Sequence, residues 1–265
     1  MKVEIFIVSH AKDLPYLRWC LRSIQKFGKG FSGVRVLWPT AQKEALEPLA
    51  LSMGLDVVFC FYDEFAPKGM LDHEAQILSA DCWCPEADFV CHVDSDCLFV
   101  EPFSPEDYFI NGKPVLLKES YARLKTVHPG RYAWKAVTEE ALGCPVQFET
   151  MCRHPMVNPR AVYAAHREHI ERRWKLDLRT YYLAGKNEFP QDRAEFNSLG
   201  AFALMVCDDL YHWIEVPKEA RPKDKLIQFW SHGRIDQLQR IWLDGAEINV
   251  VPELLIKEIM GDANA

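Results

Sequence analysis

Residues 91–99 read Cys91-His92-Val93-Asp94-Ser95-Asp96-Cys97-Leu98-Phe99. Asp94 and Asp96 stand one residue apart, straight after an apolar run. Two carboxylates at that spacing repel each other unless a cation stands between them. Hard oxygen donors in this pattern suit magnesium or manganese carrying a diphosphate. The plainer account is a polar turn that closes a strand, where Asp and Ser are common. The apolar residues on both sides of the pair favour the metal.

The elements around the pair must hold it in place. Lys2–Ser9 carries the run Ile5-Phe6-Ile7-Val8 and reads as a central parallel strand. Asp13 is a candidate cap for a helix with Pro15 in its first turn and Leu14, Leu17, Leu21, Ile24 and Phe27 at helical spacing. Val34–Trp38 is a second strand, Ala41–Met53 a helix stopped by Gly54, and Asp56–Tyr62 a third strand. A helix over 70–80 and a strand over Phe89–Val93 follow. Strands alternating with helices predict an α/β fold with helices on both faces of the sheet. Ligands of such sheets lie beyond the carboxyl ends of the strands. Ser9–Asp13, Trp38–Thr40, Asp63–Lys68 and Asp94–Asp96 all fall at such ends.

The later half is less regular. The patterns predict a strand over Pro114–Lys118, helical character over Arg131–Leu142, and a long helix opened by Asn158-Pro159 and running to Lys175. They also predict a helix over 177–185, a strand near Ala201–Val206 and a helix over Arg234–Leu243. Trp134 follows His128, Pro129 and Gly130, which reads as a loop, and is a candidate for stacking on a ligand; Met156 is a candidate cleft residue.

The 265 residues are 49% hydrophobic, enough for a sizeable core, and carry a net charge of -7. That balance argues against nucleic-acid binding through bulk charge. The basic stretches at 167–175 and 218–225 read as solvated faces. No run of about 18 apolar residues marks a membrane span, and the first residues read as a strand rather than a signal peptide. A cytoplasmic protein is the expectation. The nine cysteines form no CxxC pair and no zinc pattern, so free, mostly buried thiols are expected.

The segment at 93–99 resembles the DXD motif of GT-A glycosyltransferases. With Ile7-Val8-Ser9-His10-Ala11-Lys12-Asp13-Leu14 and the helix bearing Gln76, it is similar to a group of bacterial and phage GT-A-like proteins. The resemblance implies a GT-A (Rossmann-like) mixed sheet in a single domain over 1–265. A nucleotide-sugar-binding half would cover about 1–110 and an acceptor-binding half about 111–265. It implies a transferase that moves a sugar from a nucleoside-diphosphate sugar, a UDP-sugar being favoured, with manganese or magnesium as cofactor. Asp96 would ligate the metal, and Asp94 would help place it and contact ribose or sugar. A third ligand from late in the chain would be His232, in Phe229-Trp230-Ser231-His232-Gly233. Arg234, ahead of Lys223 and Lys225, would neutralise the leaving diphosphate. Ser9, Lys12 and Asp13 would meet the nucleotide, as would His73 and Gln76, one helical turn apart.

Transfer with inversion needs a general base near the acceptor. Glu195 is the first candidate and Asp192 the second; an exposed carboxylate or a helix cap is the plain account of either. A nucleotidyltransferase would share the acidic metal site, but the Ser9–Asp13 loop has no glycine to cradle a phosphate. A non-catalytic nucleotide-binding domain is the other alternative. The acceptor stays open among a glycan, a small molecule and a modified phage DNA base.

Overall fold

The computed structural model describes residues 1–52, 57–152, 155–186, 192–220, 223–229, 234–243 and 246–261. In chain order the first elements are β1 (Val3–Val8), α1 (Leu14–Phe27), β2 (Gly33–Pro39), α2 (Lys43–Ser52), β3 (Val57–Tyr62), α3 (Gly69–Ile77), α4 (Ala80–Trp83), β4 (Phe89–His92) and β5 (Cys97–Phe99). There follow β6 (Phe109–Ile110), β7 (Lys113–Ser120), α5 (Tyr121–Val127), α6 (Pro129–Tyr132), α7 (Trp134–Leu142), β8 (Phe148–Glu149), β9 (Met156–Pro159), α8 (Arg160–Trp174) and α9 (Leu178–Leu183). The chain continues through α10 (Glu195–Val206), β10 (His212–Val216), β11 (Leu226–Gln228), β12 (Gln239–Leu243), β13 (Ala246–Val250) and α11 (Pro252–Met260).

The fold is α/β with a mixed set of sheets. Five strands lie in the order β3-β2-β1-β4-β9. β2 and β3 are parallel, from Val34 opposite Val57 to Pro39 opposite Tyr62. All six residues of β1 are buried, which explains why its sequence is an apolar run rather than an alternation. A second sheet runs β10-β7-β6, with β8 also on β7. There β10 is parallel to β7, and β6 and β8 are antiparallel to it.

The chain divides into two compact units whose segments interleave. The first comprises Met1–Glu4, Glu64–Cys91 and Tyr108–Arg221; the second comprises Ile5–Asp63, His92–Asp107 and Pro222–Ala265. The chain passes from the second unit to the first at 107/108, and from Pro222 onward it returns to the unit that holds Ile5–Asp63.

In the second unit that return is explained by packing. Tyr16 of α1, Leu98 of β5, Ile227 and Phe229, Ile241 of β12 and Ile256 of α11 form one buried apolar cluster. β11 pairs antiparallel with β5, and β12 with β13. Lys26 of α1 donates to the carbonyls of Ile259 and Met260, the last turn of α11. Without these late elements, α1 and β5 would expose an apolar face.

In the first unit, ion pairs made by buried carboxylates supplement the apolar core. Asp72 is fully buried and receives two 2.7 Å bonds from Arg179. Arg167 grips Asp81 with two 2.6 Å bonds. Lys68 donates to the carbonyls of Leu183 and Gly185 at the end of α9.

Several sequence expectations change here. Ala201–Val206 is not a strand but the last half of α10. Residues 196–203 are buried without a break, so no polar face reveals the helical period. Arg234–Leu243 is not a helix. Its apolar spacing mimics one, but pairing with Ala246–Val250 makes 239–243 a strand. Trp134 is not in a loop; it opens α7 and packs with Val137 and Ala194 in a buried cluster. Met156 is not an exposed cleft residue but is buried within β9. Asn158-Pro159 ends that strand, and the helix begins at Arg160. Of the nine free cysteines, only Cys20, Cys84, Cys91 and Cys97 are buried, fewer than expected. Gly54 and the last four residues lie outside the described residues. No helix among the described residues is long and apolar enough to cross a membrane.

Candidate active site

The second unit contains the Asp-Ser-Asp segment. β4 ends at His92, and the Cys97 N–H donates 3.1 Å back to the Asp94 carbonyl, closing a turn over 94–97. Four further contacts hold this turn. The Val93 N–H donates to the Phe6 carbonyl of β1 at 3.1 Å, and the Phe229 N–H to the Asp96 carbonyl at 3.0 Å. The Cys20 thiol of α1 reaches the Asp94 carbonyl at 3.7 Å. Ser23, fully buried on the same helix, accepts the Phe99 N–H at 3.0 Å and so fixes the strand that leaves the turn. The backbone is therefore set by groups other than the two carboxylates.

Those carboxylates converge. The Gln228 side-chain amide donates to Asp94 Oδ2 at 3.0 Å and lies 3.4 Å from Asp96 Oδ1. Gln228 stands opposite Cys97 in the β11/β5 pair, so strand register delivers it to the turn. Asp96 is buried and Asp94 partly exposed. The His92 imidazole lies 3.7 Å from Asp94 Oδ1.

A third carboxylate joins them. Asp13 stands at the N-cap position of α1 but makes no side-chain cap bond, contrary to expectation. Its Oδ2 instead accepts from Ser95 Oγ at 3.4 Å and faces His10 Nε2 at 3.4 Å. The preceding loop is ordered by Gln42, whose side-chain oxygen accepts the Ala11 N–H at 2.7 Å. Ser9 is fully buried, and its hydroxyl has no hydrogen-bond partner among the described residues. Lys12 is exposed.

Neighbouring groups register this negative charge. Burial first, then the charges of Asp96 and Asp94, push the Cys20 thiol up. The same causes in the same order push the Cys97 thiol well up. Tyr16 is raised by burial, against a lowering bond from Gln239, with Asp96, Asp13 and Asp236 adding to the rise. The site thus concentrates acid beside two buried thiols.

Several residues proposed from sequence are committed elsewhere. Arg234 is exposed and bonded to Asp236 at 2.8 Å and 3.0 Å. Lys223 pairs with Glu101, and Lys225 with Asp107 and the Pro102 carbonyl. His232 lies outside the described residues. Among the described residues, no group of three His, Cys, Asp or Glu side chains is arranged to hold a metal.

The remaining candidates belong to the first unit. Gln76 is buried on α3, accepting from Trp83 Nε1 at 3.2 Å and lying 3.4 Å from Asp72. Its amide braces the unit; His73, on the same helix, is partly exposed. Glu195 opens α10 and Asp192 precedes it. Their charges, Glu195 first, act on Glu74 of α3, which is buried with Oε2 lacking a hydrogen-bond partner among the described residues. Burial above all, then those two charges, hold the Glu74 carboxyl well above its ordinary range. Nothing in the periodicity of α3 distinguished Glu74 from a solvated helix residue.

The sign of the resulting pH effect follows from linkage. The unfolded chain releases the Glu74 proton near pH 4.3 or so, while the folded chain keeps it to higher pH. Stability is therefore lost as pH rises above that ordinary range. Glu74→Gln, which cannot ionise, is expected to raise the melting temperature at pH 7.5 and to leave it unchanged at pH 4. Thermal melts at both values check this; an equal shift at both would refute the assignment.

No protein-family model and no curated protein matches the chain. The functional reading therefore rests on these residues.

Proposed function

We propose that the chain is a metal-dependent glycosyltransferase that uses a nucleoside-diphosphate sugar, a UDP-sugar being favoured, and an acceptor hydroxyl. The observation that carries this reading is the convergence of Asp94 and Asp96 on one point at the end of β4. Ligands of α/β sheets gather at such strand ends.

The donor set suits a divalent cation. Asp94 and Asp96 supply hard oxygens, and Gln228 is a natural third. Its amide now donates to both carboxylates; turned about its last bond, it would present its oxygen instead. His232 is retained as a further candidate ligand from the sequence. Such a cation would neutralise charge on the departing diphosphate. Ser9 and Asp13, with the exposed Lys12, form the loop proposed to meet the nucleotide. The Ser9 hydroxyl, buried and without a bond partner among the described residues, supports that role, because a buried hydroxyl without a bond is costly until a ligand supplies one.

For transfer with inversion, a carboxylate must take the acceptor proton as the new C–O bond forms and the bond to the diphosphate breaks. Glu195 and Asp192 are the candidates. Burial, with the charges of Glu195 and Asp192, holds the Glu74 carboxyl well above its ordinary range and so favours its neutral form beside them.

The test is release of nucleoside diphosphate from a panel of sugar nucleotides in the presence of manganese. Wild-type protein is expected to release UDP from at least one UDP-sugar. Asp94→Asn is expected to slow that release by about 100-fold or more, since a bound metal contributes several kcal/mol to such chemistry. No release from any sugar nucleotide would sink the proposal.

A further inference from the structure

The first unit carries a second place where donors lack acceptors. Lys118 lies on β7, with its ammonium 4.8 Å from the Phe148 ring centre and 5.7 Å from that of Trp213. Among the described residues, no carboxylate or carbonyl accepts a bond from it. Glu215 is its register partner on β10, yet pairs with Lys218 at 2.7 Å. The indole N–H of Trp213 is also buried with no acceptor among the described residues. The ammonium thus lies over two rings, and among the described residues neither it nor the indole N–H meets an oxygen. Cation–ring contact compensates the ammonium only in part, and a buried donor without a partner costs free energy until something accepts from it.

Beside Lys118 opens a pocket of about 290 Å³, lined by Lys118, Gln147, Val146, Phe148, Leu204 and Met205 among others. Apart from Lys118 and Gln147 the lining is apolar. Met205 and Val206, at the end of α10, stay exposed although they are large and apolar. A pocket with one unanswered cation and an otherwise apolar wall is complementary to a molecule with one anionic end.

We propose that this pocket binds a small organic monocarboxylate, its carboxylate on Lys118 and its apolar body against Val146, Leu204 and Met205. The pocket lies wholly within the first unit, and the inference does not depend on the nucleotide reading.

The probes are octanoate and its neutral counterpart 1-octanol, titrated against the intact chain by ligand-observed NMR. Octanoate is expected to bind the wild type about tenfold or more tighter than octanol, the worth of a charge-assisted bond. Lys118→Met keeps the apolar stem and is expected to erase that preference while octanol still binds. Met205→Glu changes an exposed wall residue, and the charge it places there is expected to weaken octanoate more than octanol. Should Lys118→Met fail to fold, this second variant decides the matter. Equal binding of the two probes by the wild type, binding of neither, or an unchanged preference in the variants would overturn the proposal.

Discussion

Asp96→Asn is expected to leave the metal-free protein at least as stable as the wild type while abolishing the stabilisation that manganese gives. The reason lies in how the turn is held. Its backbone is fixed by the Phe229, Cys97 and Val93 N–H groups and by the Cys20 thiol, and none of these uses the Asp96 side chain. That carboxylate instead stands with Asp94 around the Gln228 amide. Removing one of two like charges relieves their repulsion. In the wild type, free manganese at about 100 times its dissociation constant would add roughly 2.7 kcal/mol. For a chain of this size that is a rise of about 5–10 °C in melting temperature. Thermal melts of both proteins with and without manganese check this. A variant that melts much lower than the wild type without metal would make Asp96 a structural carboxylate, and the site only a turn.

Arg131→Met is expected to be the most destabilising single change outside the apolar core. Arg131 donates to Glu119 at 2.8 Å and to Glu149 at 2.6 Å, and both acids are almost fully buried. Burial opposes its charge, but the two carboxylates and the Cys152 thiol outweigh that and raise its pKa. Glu119 has a second partner in Arg123, whereas Glu149 is left with the Cys152 thiol at 3.2 Å. Arg131 is itself 35% exposed, but losing it leaves the buried Glu149 carboxylate uncompensated, at a cost toward the lower end of about 3–5 kcal/mol. The double variant Arg131→Met/Glu149→Gln is expected to recover part of that loss, because no buried charge is stranded on Glu149. Urea denaturation of the three proteins measures both quantities. A loss below about 1 kcal/mol for Arg131→Met would place these charges in water rather than in the interior.

How far the sequence disclosed this structure depended on how local each determinant was. β1, β2, β3 and β4 were legible because each is a short apolar run closed by polar or breaking residues. Asp94 and Asp96 were legible as a candidate pair because both carboxylates and the apolar residues around them lie within one short segment. Gln228 was not, because only the β11/β5 register brings it to the turn. Asp13 was legible as a polar residue after β1, but its bond to Ser95 required the two strand ends to be adjacent. α10 was mistaken for a strand because its buried face is continuous, and β12 for a helix because its partner strand lay out of view. The interleaved division of the chain was hidden for the same reason. An apolar cluster joining residues 16, 98, 227 and 256 leaves no mark at any one of them.

The most direct measurement is a calorimetric titration of UDP into the intact chain, with manganese and with a chelator, for the wild type and Asp96→Asn. The proposed function predicts binding by the wild type that requires manganese and is absent in the variant. A different nucleoside diphosphate binding with the same metal dependence would keep the site and change only the donor. If no nucleoside diphosphate binds with any divalent metal, Asp94-Ser95-Asp96 is a structural turn and the proposed activity is contradicted.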